Sequence, residues 1–183
     1  MARVRADAHR NRERLLAAAT DAFAAADGTA VSLEGIAREA GVGIGTLYRH
    51  FATREALVEA VYRTELAEVA TAAEHLLQRH PPLVALRRWM DRYAAFVATK
   101  RGMAESLRAM FAAGTVEPGA TRQSIVRAVE TLLAAGVSDG TMRSDVRADD
   151  VVTSLVGIFL ASGSPEQARR LVDLLLDGVV ATR

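Results

Sequence analysis

The chain has 183 residues, half of them hydrophobic, which is enough for a sizeable core in one domain or in two closely packed ones. It contains no cysteine, which excludes disulfides and thiolate metal sites. The net charge of +1 argues against a general polyanion binder and against an architectural protein that coats DNA, because such proteins depend on overall basicity.

Positive charge is nevertheless concentrated at the N terminus. Among the first fourteen residues five arginines outnumber two acidic residues, a net of +3: Arg3, Arg5, Asp7, Arg10, Arg12, Glu13 and Arg14. A basic segment of this kind suits contact with phosphates, although an ordinary solvated terminus explains it equally well. The apolar spacing that follows predicts a first helix over about residues 9–26, ended by Asp27-Gly28.

Residues 32–51 predict two short helices joined by a tight turn. Ser32 is a good N-cap, because its hydroxyl can accept a hydrogen bond from a free backbone N–H of the first turn. Gly41 lies where the chain must turn sharply, and glycine tolerates the positive φ of such a turn. Apolar residues recur at helical spacing on one face of the pair: Ile36, Ala37, Ala40, Val42, Leu47 and Phe51.

The opposite face of the second short helix mixes small residues with hydrogen-bonding and cationic ones. It carries Ile44, Gly45, Thr46, Tyr48, Arg49 and His50. Such a surface suits the major groove of DNA, which admits an α-helix and presents a distinct set of donors and acceptors for each base pair. A generic helix pair without a DNA role would explain the apolar positions, but not an exposed Tyr-Arg-His triplet.

The stretch IAREAGVGIGTLYRHFATREALVEAV resembles the DNA-binding signature of the TetR family of bacterial transcriptional regulators. The resemblance rests on the patterns A-x3-G-V and T-L-Y-x-H-F, and on the pair Arg54-Glu55 before Leu57. It covers roughly residues 10–60, and beyond them only the pattern of apolar helices is similar.

The resemblance implies a DNA-binding surface and roles for its residues. Tyr48, His50 and Arg54 match positions that contact phosphates in the family. Position 49 is variable there, so we expect Arg49, together with Thr46, to read bases. The full set expected at this surface is Ser32, Gly43, Ile44, Gly45, Thr46, Tyr48, Arg49, His50 and Arg54. The two glycines of the set would let the backbone approach the DNA closely.

The rest of the chain predicts helices only. Thr53 caps a long fourth helix that reaches about Gln78, and Pro82 opens a fifth helix that is broken at Gly102. The later segments are a helix near 103–111, a loop at 114–119, a helix over about 120–135 that stops at Gly136, a loop at 138–145, a helix over 148–161 and a last helix opened by the capping box Ser164-Pro165-Glu166-Gln167.

Large apolar side chains in the middle helices form a candidate effector site. These are Trp89, Met90, Tyr93, Phe96, Met103, Leu107, Met110 and Phe111. The tryptophan and the tyrosine add polar groups to apolar walls, so the expected effector is a small and largely apolar molecule. A plain hydrophobic core explains the same pattern.

The last two helices are apolar around more than one face, so they must be buried on several sides. One of these sides is predicted to be a second subunit, through Val152, Leu155, Val156, Phe159, Leu171, Leu174 and Leu175. A deep monomeric core is the alternative. The resemblance implies that both helices form a four-helix bundle with their copies across a two-fold axis.

Catalytic and metal-binding patterns are absent from the sequence, so we expect neither an enzyme nor a cofactor. His75 and His80 lie five residues apart, which is off the spacing of a helical metal pair. No apolar run approaches the about 20 residues that a bilayer-spanning helix needs, and no signal peptide is recognisable. These features predict a cytoplasmic protein without membrane contact.

The sequence thus predicts an all-α protein. An N-terminal three-helix helix-turn-helix DNA-binding domain at 1–53 is followed by a larger helical domain for ligand binding and dimerisation at 54–183. The expected function is that of a homodimeric repressor that binds a palindromic double-stranded DNA operator and is released by its effector. An activator of the same fold and a small helical enzyme are the alternatives.

Overall fold

The computed structural model describes residues 2–26 and 30–181, with side chains from residue 6 onward, and these residues form nine helices. They are α1 Ala2–Ala25, α2 Leu33–Glu39, α3 Ile44–His50, α4 Arg54–Leu77, α5 Pro82–Gly102, α6 Ala104–Ala112, α7 Pro118–Ser138, α8 Ala148–Ala161 and α9 Pro165–Val179. Extended pairing in the described residues is limited to one isolated antiparallel bridge between Met142 and Val180. The all-α prediction is confirmed. None of the described helices is long and apolar enough to cross a membrane.

The helices are organised in two compact units. The first unit comprises Met1–Glu65 and Ala95–Glu117, and the second comprises Leu66–Ala94 and Pro118–Arg183. Helices α4 and α5 each contribute residues to both units. The predicted domain boundary after residue 53 follows the helix-turn-helix motif rather than this division, and it stays a prediction.

In the first unit α1 packs on α2 and α3, and α2 packs on α3. These three helices and the start of α4 each contribute large side chains that are fully or almost fully buried: Leu15, Phe23, Ile36, Leu47 and Leu57. Burial of one such side chain contributes about 1.5–3 kcal/mol. The short helices α2 and α3 are therefore held by a shared core rather than by their own helical propensity.

Three predicted helix starts are confirmed by hydrogen bonds. In each case a side-chain oxygen accepts from a backbone N–H three residues later: Ser32 from Gly35 at 3.1 Å, Thr53 from Ala56 at 3.1 Å and Ser164 from Gln167 at 3.2 Å. The capping box of α9 differs in one detail, because Oε1 of Gln167 accepts from the N–H of Gly163 at 2.7 Å, one residue before the cap.

The first helix is longer than predicted at its start. Helix α1 begins at Ala2, well before residue 9, so the backbone of the predicted basic segment is helical. The predicted helix end at Asp27-Gly28 lies outside the described residues.

Helix α7 is longer than predicted at both ends. It begins at Pro118, because the fixed φ and the missing N–H of proline suit the first turn of a helix. It then continues through Gly136 to Ser138 instead of stopping at the glycine. Gly136 is buried, and a Cβ at this position would overlap the side chain of Met142. The glycine therefore permits close packing of Met142 against α7 and does not end the helix.

In the second unit α8 packs on both α7 and α9. Three aromatic rings form part of its core: Trp89 stacks on Tyr93 with ring centroids 5.3 Å apart, and Tyr93 packs on Phe159 at 6.1 Å. The buried indole Nε1 of Trp89 donates to the backbone carbonyl of Val69 at 2.9 Å, which satisfies its only polar group. Ion pairs join α5 to α9 and α7 to α8: Arg87–Asp173 and Arg122–Asp149.

Gly102, the last residue of α5, leaves no room for a side chain. A Cβ there would lie 2.8 Å from the carbonyl carbon of Phe23 and closer still to its oxygen, and these backbone atoms cannot move aside as a flexible side chain can. We expect Gly102→Ala to lower the free energy of unfolding by about 1–3 kcal/mol through overpacking, measured by denaturant titration.

The matched control for this variant is Gly119→Ala in the first turn of α7, where a Cβ meets no atom within 4 Å. This substitution should be neutral or slightly stabilising, because it restricts the unfolded chain without creating a clash. An unfolding free energy that is unchanged in Gly102→Ala would contradict the close packing of α5 on α1.

Candidate nucleic-acid interface

Helix α3 is held by its inner face. Leu47 is fully buried, and Phe51, which caps the helix at its C terminus, is almost fully buried. In the preceding turn Gly41 has the predicted positive φ, at 63°, and the N–H of Val42 donates to the carbonyl of Ala37 at 2.9 Å. Ala37 is itself buried, as expected of a small residue where α2 and α3 meet. These contacts fix the direction in which the outer face of α3 points.

The outer face of α3 is open to a partner. Tyr48 is 48% exposed, and Arg49 is exposed as well. The other side chains predicted on this face are half-buried: Ile44, Thr46 and His50. A Cβ at Gly43 or Gly45 would meet no atom within 4 Å. The packing of the chain therefore does not require glycine at these positions, and the space in front of them is free for a ligand.

The guanidinium of Arg49 lies back on its own helix. Its Nε donates to the carbonyl oxygen of Gly45, and its Nη2 donates to Oγ1 of Thr46, both at 3.1 Å. The side chain is therefore exposed and cationic but restrained. The sequence predicts Thr46 and Arg49 as two base readers and does not indicate that they bind each other.

Two residues predicted to contact DNA also make hydrogen bonds within the chain. Ser32 caps α2 through the N–H of Gly35. Nη1 of Arg54 donates to the backbone carbonyl of Val31 at 2.7 Å, and its guanidinium carbon lies 5.8 Å from the ring centroid of Phe23. Arg54 therefore ties the start of α4 to α1 and to the segment before α2, a role that no local sequence pattern indicates. Contact of either residue with DNA stays a prediction.

Helix α1 places further cations beside α2 and α3. The guanidinium carbon of Arg12 lies 5.3 Å from the ring centroid of Phe51, and the guanidinium of Arg14 lies against Gly41 in the turn. Positive charge thus adjoins both the turn and the end of α3, where it can attract phosphates. Nearer the N terminus Arg10 pairs with Asp7, while the side chains of Arg3 and Arg5 lie outside the described residues.

The residues predicted to line an effector site fall into two groups. The second unit contains Trp89, Met90 and Tyr93, and the first unit contains Phe96, Met103, Leu107, Met110 and Phe111. All of them are buried except Phe111, which is half-buried. The first-unit group includes one cation that the sequence did not single out: Nζ of Lys100 lies 5.8 Å from the ring centroid of Phe111, and burial lowers the pKa of Lys100.

The residues predicted at a dimer interface differ in exposure. Val152, Leu155 and Phe159 are buried within the single chain, Val156, Leu171 and Leu175 are half-buried, and Leu174 is 66% exposed. Leu160, which the sequence did not place in this set, is 68% exposed. Of the large apolar residues in the described part of the chain, Leu160 on α8 and Leu174 on α9 are the most exposed. Among the described residues, the last two helices therefore carry the two large apolar side chains that are most exposed to solvent.

Two regions of the chain match known protein families. Residues 15–61 match the family described as bacterial regulatory proteins, tetR family. Residues 81–181 match the C-terminal domain described as transcriptional regulator SbtR-like. The first region contains α2, α3 and the turn between them, and the second covers more than half of the chain.

Several proteins are similar to this chain. The TetR transcriptional regulator SCO0520 from Streptomyces coelicolor is 46% identical with a TM-score of 0.84, over 94% of this chain and 99% of that one. The TetR transcription regulatory protein from Mycobacterium vanbaalenii is 33% identical with a TM-score of 0.75, over 97% of this chain and 99% of that one. The HTH-type transcriptional repressor Rv3405c from Mycobacterium tuberculosis is 36% identical over 84 residues, which are 46% of this chain and 43% of that protein.

The family match and the 46% identity over nearly the whole chain confirm the resemblance predicted from the helix-turn-helix motif. They also confirm that the protein is a regulator and not an enzyme. The chain belongs to the TetR family of DNA-binding transcriptional regulators.

Proposed function

We propose that the protein is a homodimeric repressor, which binds a palindromic operator and leaves it when a small, largely apolar effector binds. The observation that carries this proposal is the outer face of α3, where Tyr48 and Arg49 point to solvent from a helix anchored by Leu47 and Phe51. A helix presented in this way can enter the major groove and read base edges. Tyr48, His50 and the arginines of α1 are suited to phosphates on either side of it.

A palindromic operator requires a protein with a two-fold axis. Leu160 and Leu174 support dimerisation through α8 and α9, because exposed apolar side chains on two packed helices favour association. The buried Phe159 and its neighbours then stabilise the subunit on which this surface is built. Each subunit would place its α3 in one of two successive major grooves.

The effector part of the proposal rests on the apolar side chains of α5 and α6. The first-unit group, which includes Phe96, Leu107 and Phe111, offers walls of the kind that bind small apolar molecules. An effector releases DNA only if it binds the DNA-free conformation more tightly than the DNA-bound one. Helix α4, whose first turn is tied to α1 by Arg54, is the element through which such a preference would reach α3.

An activator of the same fold is the second candidate. The similar protein from Mycobacterium tuberculosis is named a repressor, which supports repression here. The two roles are distinguished by a reporter gene whose promoter carries the selected operator. Its expression is measured with and without the gene that encodes this protein. Reporter expression that rises on deletion supports repression, and expression that falls supports activation.

The direct experiment for the proposal is selection of operator DNA from a random-sequence library by the full-length protein, followed by footprinting. One short protected site with two-fold symmetry supports the proposal. Broad coverage of the DNA, or no protection at all, would contradict it.

Arg49→Ala should flatten the base preference at one position in each half-site. Loss of a bidentate base contact costs about 1–3 kcal/mol, so the free energy of binding to the selected operator should become less favourable by about that amount per half-site. The measurement is operator titration together with a new selection on random DNA. Arg127→Ala, which removes an exposed arginine from α7, is the control and should leave the motif unchanged. The same motif from Arg49→Ala and from the parent would show that Arg49 reads no base.

Arg54→Ala should change both stability and DNA binding. Loss of the charged hydrogen bond to Val31 should lower the free energy of unfolding by about 1.5–3 kcal/mol. If Arg54 also contacts a phosphate, the slope of log affinity against log salt concentration should fall by about one unit. Arg54→Lys keeps the charge and should keep the slope. A slope that is unchanged in Arg54→Ala would limit this residue to its structural role.

Leu174→Glu should separate the subunits while leaving each one folded, because the added charge would have to be desolvated between two copies of α9. A monomer loses the gain from tethering a second α3, so operator affinity should fall by about 100-fold or more. Sedimentation velocity and operator titration measure the two effects, and circular dichroism checks the helix content. Val84→Glu on α5 is the control, since it also adds a charge at an exposed apolar residue. A Leu174→Glu protein that stays dimeric with full affinity would place the interface elsewhere.

A further inference from the structure

The hydrogen bonds of Arg49 divide its guanidinium into an occupied side and an open end. A guanidinium has five N–H donors in one plane, which form two bidentate pairs: Nε with Nη2 along its side, and Nη1 with Nη2 at its end. Both donors of the side pair are used within α3, by the carbonyl of Gly45 and by Oγ1 of Thr46, each at 3.1 Å. Nη2 carries two N–H groups, and one of them faces the end of the guanidinium together with Nη1. These end-facing donors have no acceptor among the residues that the structure describes.

The open end selects one kind of base. Two parallel N–H donors require two neighbouring acceptors, and guanine presents them in the major groove as O6 and N7. Adenine offers one acceptor next to a donor, thymine offers one acceptor next to a methyl group, and cytosine offers a donor. Of the four bases, only guanine satisfies both donors of the end pair.

We propose that Thr46 is a positioning residue, which holds Arg49 so that its end pair reads a guanine in each half-site, and that Thr46 itself touches no base. This inference rests on the proposed sequence-specific DNA binding by α3 and narrows it to a G·C pair at one position. It also revises the sequence-based expectation that Thr46 and Arg49 both read bases.

The benefit of this arrangement is pre-organisation. Arginine has a long side chain with many rotamers, and an exposed one loses this freedom when it binds a base. A hydrogen bond that orients the guanidinium before DNA arrives reduces that loss. Thr46 is half-buried and β-branched, so its own side chain has restricted freedom and can act as a fixed acceptor.

The test uses the full-length protein, selection on random-sequence DNA, and titration of the selected operator and its single-base variants. Thr46→Val removes the hydroxyl and keeps the shape, Thr46→Ser keeps the hydroxyl, and Arg49→Ala removes the reader. The fourth variant combines Thr46→Val with Arg49→Ala. Thr71→Val on α4 is the matched control, because its hydroxyl also bonds only its own helix, at 2.8 Å to the carbonyl of Ala67.

The expected parent motif contains a G·C pair in each half-site, and the preference for this pair disappears in Arg49→Ala. Thr46→Val should weaken operator binding by about 2- to 10-fold and reduce the preference at the same base pair. Thr46→Ser and Thr71→Val should bind like the parent. When Arg49 is already replaced by alanine, Thr46→Val should change operator affinity by less than about 2-fold, because Thr46 then has no arginine side chain to position.

The inference is overturned if Thr46→Val alters the preference at a different base pair, or weakens binding equally with and without Arg49, since Thr46 would then contact DNA itself. It is also overturned if the base pair that depends on Arg49 is not G·C. If the Thr46→Val protein selects the same motif as the parent, the positioning role of Thr46 is overturned, while the reading of guanine by Arg49 is not. A parent protein that selects no motif removes sequence-specific binding, and with it the basis of this inference.

Discussion

A helix of seven residues is not stable alone in water, so the outer face of α3, the proposed DNA-reading surface, depends on the burial of Leu47 and Phe51. Each buried side chain contributes about 1.5–3 kcal/mol, which is more than the helical propensity of such a short segment can supply. The same burial turns Tyr48 and Arg49 outward, since neighbouring positions of a helix point in different directions. Stability of the first unit and presentation of the proposed DNA-binding face therefore have one physical origin.

Phe23 is the residue at which the first unit joins its longer helices. Its ring is fully buried and lies under the guanidinium of Arg54, and its backbone carbonyl packs against Gly102. Helix α1, the first turn of α4 and the end of α5 thus meet at a single residue. The apolar surface marked by Leu160 and Leu174 belongs to the second unit, so the proposed association and DNA reading use different parts of the chain. Association depends on apolar burial, whereas phosphate contact is electrostatic and weakens with salt.

Local chemistry follows from the order of the residues alone. Ser32 is identified as a cap because a cap acts on a backbone N–H within the same turn. Gly41 is identified as the turn residue because a sharp turn needs one positive φ, which glycine tolerates. Helical spacing separates the buried face of α3 from its open face, and the family motif identifies DNA as the partner. Each of these signals is carried by residues within a few positions of one another.

Contacts between residues in different elements do not follow from the sequence in this way. A glycine inside an apolar pattern suggests a helix end, but Gly136 lies within α7, where Met142 packs into the space that a side chain would fill. Helix α8 is apolar almost all round, so its pattern does not show that Phe159 faces the core of the chain and Leu160 faces outward. The hydrogen bond from Arg54 to Val31 joins residues that share no helix. In each case the neighbour that decides the role is brought close by folding, and no periodicity within one helix encodes which neighbour that will be.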